Sequence, residues 1–179
     1  MRFRSERDGI RESVRWTEGY QRIADYAEEL PDTRLVYVAD RESDLLELME
    51  TAHELGYPAD WLIRSKHNRN LLNGNTLWRD VADGEALGEI RFILPSRQNQ
   101  QAREVRQQVW LKRVALPTKQ GGQIEITCLI AREVNAPKGV KAIEWRLLTN
   151  RNAETFEAAA ELIDWYRARW EIELFFHVL

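Results

Sequence analysis

Cysteine is nearly absent. The single Cys128 excludes an internal disulfide and any cysteine-based metal cluster, and its apolar surroundings make it a small core residue. No apolar run approaches the ~18 residues that a membrane span needs. The opening MRFRSERDGIRES has no apolar core behind its arginines, so it does not read as a signal peptide. The compartment expected is the cytoplasm. Histidine is scarce as well: His53, His67 and His177 are scattered without ligand spacing. A glycine-rich phosphate loop, a Gly-x-Ser-x-Gly elbow and a nucleophilic cysteine context are all missing, which removes the commonest nucleotide-binding and acyl-transfer signatures. Lysine is the rare cation, with 5 against 21 arginines, and arginine is the residue suited to bidentate phosphate contact.

What is present describes a globular chain. Its 179 residues are 44% hydrophobic and 31% charged, which is normal for a folded soluble domain and excludes a disordered tail or collagen-like repeat. A chain of this length buries ~70% of the surface its unfolded form exposes. The net charge of −3 hides an asymmetry. Residues 1–60 hold 15 acids against 8 bases, whereas residues 91–119 hold 7 bases against Glu104 alone. Such asymmetry hints at nucleic acid, although many solvated surfaces share it.

Periodicity predicts the elements. Trp16, Tyr20, Ile23, Ala27 and Leu30 recur at helical spacing from about Arg15, and Pro31-Asp32 ends that helix. RLVYVAD (34–40) reads as a strand buried on both faces. A second helix follows from Ser43 to Leu55, with Gly56 as its C′ residue, and then a second buried strand, DWLIRSK (60–66). Strand, helix and strand in this order predict a βαβ unit with a parallel pair. Residues 70–144 change character, with Asn, Gly and Gln punctuation around four strand candidates at 89–95, 103–117, 123–134 and 143–150. That stretch reads as antiparallel β structure inserted into the α/β part. From Asn152 to Leu179 the pattern is one long helix without Gly or Pro, still running at the last residue.

Two carboxylates are placed for chemistry. Asp40 lies at the C-terminal end of a buried parallel strand, where α/β sheets put ligands and catalytic groups; aspartate there also suits a helix N-cap. Glu173 is on the last helix, where a glutamate is by default a surface charge. At about 100° per residue, however, Arg169 falls roughly −60° and Glu173 roughly −20° from Tyr166. A phenol, a guanidinium and a carboxylate thus share one stripe, a layout suited to a metal-binding carboxylate flanked by phosphate-gripping groups.

Tyr166-x2-Arg169-x3-Glu173 resembles the first three members of the Tyr-x2-Arg-x3-Glu-x6-Lys signature of the insertion-sequence-four group of bacterial transposases. VADRESD (38–44) resembles that group's strand end carrying the second catalytic aspartate, and LIRSKHNR (62–69) the arginine-rich strand after it. EWRLLT (144–149) is similar to the strand leading into the final helix, and WYRARWEIELFF (165–176) to the helix itself. The four matches occur in order and span most of the chain.

The resemblance implies an α/β (mixed α+β) fold: an incomplete RNase H-like core with an inserted antiparallel β subdomain and a long C-terminal helix. Its parts would be 1–69, the first part of the core; 70–142, the insertion; and 143–179, the last strand and catalytic helix. The implied activity is cut-and-paste DNA transposition, by metal-dependent phosphodiester hydrolysis and strand transfer at transposon ends, with an Asp-Asp-Glu triad and two divalent ions, Mg²⁺ or Mn²⁺. Asp40 and Glu173 would be the second and third triad members and bind metal. Tyr166 and Arg169 would hold phosphates, and Arg64 and Lys66 would lie near the DNA backbone. Trp145, 21 residues before Tyr166, would stack on a flipped base; read from its strand alone it is a core aromatic. The implied partners are double-stranded DNA and a second copy on that DNA, with no membrane. The chain departs from the pattern in lacking the first catalytic aspartate and the signature lysine, so the expectation is a transposase fragment inactive alone. The alternatives are a non-catalytic DNA-binding remnant and a functionless pseudogene product.

Overall fold

The computed structural model describes residues 3–96 and 101–178, with side chains for 14–96 and 101–169. Helix α1 (Phe3–Glu29) leads into strand β1 (Val36–Ala39), a 3-10 turn (Arg41–Ser43), helix α2 (Leu46–Glu54) and strand β2 (Asp60–Arg64). A short helix α3 (Leu77–Ala82) precedes β3 (Gly88–Leu94), β4 (Arg103–Pro117), β5 (Gln123–Glu133) and β6 (Glu144–Thr149), and α4 (Phe156–Val178) ends the chain. Each expected helix and strand is present with shifted edges. Helix α1 begins well before Arg15, and α3 has no counterpart in the sequence pattern, because one short turn among Asn and Gly residues has too little length for a period to show.

The strands form one six-stranded sheet in the order β1-β2-β6-β5-β4-β3. Strands β1 and β2 are parallel, with Val36 opposite Asp60, and α2 is their crossover. All other pairings are antiparallel. The last strand in sequence, β6, therefore sits in the middle and joins the βαβ unit to the meander β3-β4-β5. This mixed α/β architecture is consistent with part of an RNase H-like core.

Alternation along the strands builds two cores. Trp61, Ile63, Leu148, Cys128 and Ile126 pack with Tyr20, Leu48, Met49 and Leu77 from α1, α2 and α3. On the other face Leu62, Leu147, Leu129 and Trp145 pack with Ala159, Leu162, Ile163 and Tyr166 of α4. The joints between elements are specific. Tyr20 on α1 donates its hydroxyl to the Ala59 carbonyl at 2.7 Å. Helix α2 stops as the Gly56 expectation requires: Gly56 has φ +74, its N–H reaches His53 O and the Tyr57 N–H reaches Ala52 O, which together make a Schellman closure. Thr155 accepts from the Ala158 N–H at 3.2 Å and so caps α4. At Gly88 the start of β3 comes so close to α4 that a Cβ would meet the Phe156 ring at 2.7 Å. Asp60, at the start of β2, is held by Arg34 at 2.6 Å, Asn150 at 2.8 Å and Arg151 at 3.1 Å. Burial alone would raise its carboxyl pKa, but the hydrogen bonds from Arg34 and Asn150 and the nearby positive charges hold it below the ordinary aspartate value.

Candidate active site and nucleic-acid cleft

Asp40 closes β1, and both readings of its position meet there. Its Oδ1 accepts from the Arg41 N–H at 2.8 Å and caps the 3-10 turn, and it stands at the carboxyl edge of the parallel pair. Ser43 donates to the Asp40 carbonyl at 2.6 Å, fixing the turn from its other end. Asp44, four residues on, is 1% exposed. One of its oxygens accepts from the backbone N–H groups of Lys66 at 2.5 Å and His67 at 2.8 Å. The other makes a 2.6 Å ion pair with Arg69. Asp44 is thus engaged in shaping the chain that leaves β2, and it is no spare metal ligand.

That chain carries Arg64, one position past the Ala39–Ile63 pair that aligns the ends of β1 and β2, and then Lys66. Arg64, half-buried at the end of β2, directs Nη1 to the Tyr166 hydroxyl at 3.5 Å, at the outer limit of a hydrogen bond, and Lys66 is exposed. Tyr166 is fully buried on α4 and meets Trp145 edge-on, with centroids 6.1 Å apart. Trp145 in turn stacks on Phe92 of β3 at 5.3 Å. Arg169, one turn beyond Tyr166, lies near enough to β1 for its charge to act on Tyr37, whose hydroxyl pKa is pushed up to about 12 by burial against that lowering influence. The structure thus brings Arg64, Tyr166 and Trp145 together, while Glu173 lies outside the described side chains.

These groups open onto a cleft of about 850 Å³. Arg41, Arg64, Lys66, Lys141, Arg146 and Arg167 line it with Trp78, Phe92, Trp145 and Tyr166, and Glu144 is the acid among them. Six cations around one acid and several aromatic rings form a surface for a polyanion with flat groups. The cations come from places the charge count does not indicate. In the basic stretch 91–119, Arg91 and Arg106 pair with Glu89, Arg103 with Glu133, Lys112 with Asp80, Arg113 with Glu125 and Lys119 with Glu47. Arg97 lies outside the described residues. Local charge in sequence is therefore largely compensated in space. Arg41, Arg146 and Arg167 escape a reading of the sequence because they come from three elements far apart in the chain, and Trp78 escapes it because its helix does.

Compared with known families, residues 18–179 match the family model described as Transposase DDE domain. The chain belongs to that family. Membership implies a DNA substrate, and the family works with divalent metal ions. A carboxylate at a strand end is the right chemistry for a hard divalent cation, so Asp40 fits such a role with the oxygen not taken by the Arg41 N–H. Among the described residues no three His, Cys, Asp or Glu side chains come close enough together to hold a metal. Nor, among them, is any helix long and apolar enough to cross a membrane.

Proposed function

We propose that this member of the transposase DDE domain family belongs to the insertion-sequence-four group and grips a transposon end in the basic cleft beside Asp40. The observation that carries the reading is the cleft itself, with six cations and four aromatic rings at the carboxyl ends of β1 and β2. Asp40 and Glu173 would hold Mg²⁺ or Mn²⁺, which when bound supplies Lewis-acid activation of the phosphodiester. Arg64 and Lys66 bind the DNA backbone, Tyr166 and Arg169 bind and orient phosphates near the reacting end, and Trp145 takes a base. The reading also includes residues 70–142 as an insertion in the RNase H-like core, a dimer on DNA, and a cytoplasmic location.

A second reading is a non-catalytic DNA-binding remnant, which the cation- and aromatic-lined cleft would serve equally well. In it the 179-residue chain binds DNA and does not cut it. One experiment separates the two. DNA carrying the element's ends is titrated by anisotropy and then assayed for nicking in Mg²⁺ and Mn²⁺, with Arg64→Ala/Lys66→Ala and Asp40→Asn as variants. The double variant is expected to weaken duplex binding and to flatten the salt dependence by about 0.9 in log–log slope for each phosphate that the protein no longer neutralises. Nicking abolished by Asp40→Asn selects catalysis, and binding without nicking selects the remnant. Absence of DNA binding at low salt refutes both.

A further inference from the structure

Base stacking in this cleft is implied at Trp145, yet that ring is 5% exposed and lies between Phe92 and Tyr166. A second aromatic on the cleft behaves differently. Trp78 of α3 is half-buried, and its indole Nε1 donates to Ser65 Oγ at 3.0 Å, which fixes the ring. Arg146 of β6 lays its guanidinium on that ring, with Cζ 3.9 Å from the centroid. Glu144 accepts from Arg146 Nε at 2.5 Å and from Arg132 Nε at 3.0 Å, so the guanidinium is pinned too. The Glu144 bond is made through Nε and leaves the flat face of the guanidinium uncovered by it. The Arg146 side chain is 32% exposed, and both members line the cleft. The other cation–ring pair there, Arg167 on Phe92 at 4.4 Å, backs onto the wall made with Trp145.

We propose that the Trp78–Arg146 stack is a docking station for an unpaired base of single-stranded DNA. The base lies on the guanidinium and extends the stack by one layer, and Lys66 reaches the adjoining phosphate. Guanidinium planes and aromatic rings are the surfaces on which splayed bases rest, and a pair already pinned at both ends loses little freedom when a base arrives. A pair that only stabilised the fold would need neither the exposure nor the place on the cleft. The inference rests on DNA occupying the cleft, as proposed above.

The test measures affinity of the full chain for three labelled probes: a 12-nucleotide oligothymidine, the same oligomer with abasic sites, and a blunt duplex. Arg146→Lys keeps the charge and removes the plane. It is expected to weaken the oligothymidine at least fivefold, with the abasic oligomer and the duplex within twofold of the parent. Trp78→Phe, which keeps a flat ring under Arg146, is expected to stay within threefold on all three, and thermal melting checks that both variants fold. An equal loss on all probes makes Arg146 a simple phosphate-binding residue and overturns the station, as does no loss on any. Failure of the parent chain to bind any probe refutes the DNA reading itself, and the station with it.

Discussion

Replacing Asp44 tests whether one buried carboxylate organises the chain that leaves β2. In the folded chain it has no side-chain exposure and pairs with Arg69, whose side chain is 15% exposed. It also accepts from two backbone N–H groups, Lys66 and His67. Asp44→Ala removes three interactions and strands a half-enclosed guanidinium. Charge-assisted hydrogen bonds contribute about 1.5–3 kcal/mol each, and breaking a buried pair from one side costs about 3–5 kcal/mol. These figures describe overlapping losses, so the larger range, about 3–5 kcal/mol, is the expected destabilisation. For a chain of this size that lowers Tm by roughly 6–20 °C. Asp44→Asn, with its amide oxygen in place of the oxygen that accepts from both backbone N–H groups, loses the ion pair with Arg69 alone and is expected to lose about half as much. Asp44→Asn/Arg69→Met, which removes both charges, should be milder than Asp44→Ala despite carrying two changes. Urea unfolding read by tryptophan fluorescence gives the values, with an unchanged m as the check that the unfolded state is the same. A loss under about 1 kcal/mol for Asp44→Ala would refute the reasoning, as would a double variant less stable than the single.

Two further perturbations probe the frame around the site. The Asp60 carboxyl is held below its ordinary value by Arg34 and Asn150, so its contribution is fully present above the unfolded aspartate value of about 3.9 and is lost as pH falls through the lower folded value. Stability measured from pH 6 down to pH 2 should therefore decline more steeply in the parent than in Asp60→Asn, and equal slopes would contradict the clamp. Gly88→Ala puts a Cβ at 2.7 Å from the Phe156 ring, an overpacking expected to cost about 1–3 kcal/mol. Phe156→Leu should recover most of it in a double-mutant cycle, and simple additivity would show that strand and helix are further apart.

The elements are legible because their patterns are local. Trp16, Tyr20, Ile23 and Ala27 repeat at helical spacing, and RLVYVAD and DWLIRSK are compact apolar runs, so α1, β1 and β2 follow from short windows of sequence. The position of Asp40, at the end of β1 and at the cap of the turn after it, follows from the same window. The cleft is not legible. Arg41, Trp78, Phe92, Arg146 and Arg167 come from five separate elements, and no window contains two of them in a recognisable spacing. The charge count points to 91–119, where Arg103, Arg106 and Lys112 each lie beside an acid on a neighbouring strand or helix. Asp44 shows the same limit: nothing in RESD tells a spare carboxylate from one buried under the turn after β2.

The place of β6 in the sheet has a consequence for how the molecule comes into being. Ile63 pairs with Leu148, 85 positions later, while β3, β4 and β5 pair with their neighbours in sequence. The meander and the βαβ unit can each form from nearby chain, but they have no shared edge until the strand between them is synthesised. Closing so long a loop is a slow, non-local step. That strand carries Trp145 and Arg146 on its two faces and contributes both to the cleft. A growing chain that has not yet made EWRLLT lacks the strand that joins Arg64 and Lys66 of the βαβ side to Phe92 of the meander, so the cleft takes shape only in a late, non-local event of folding.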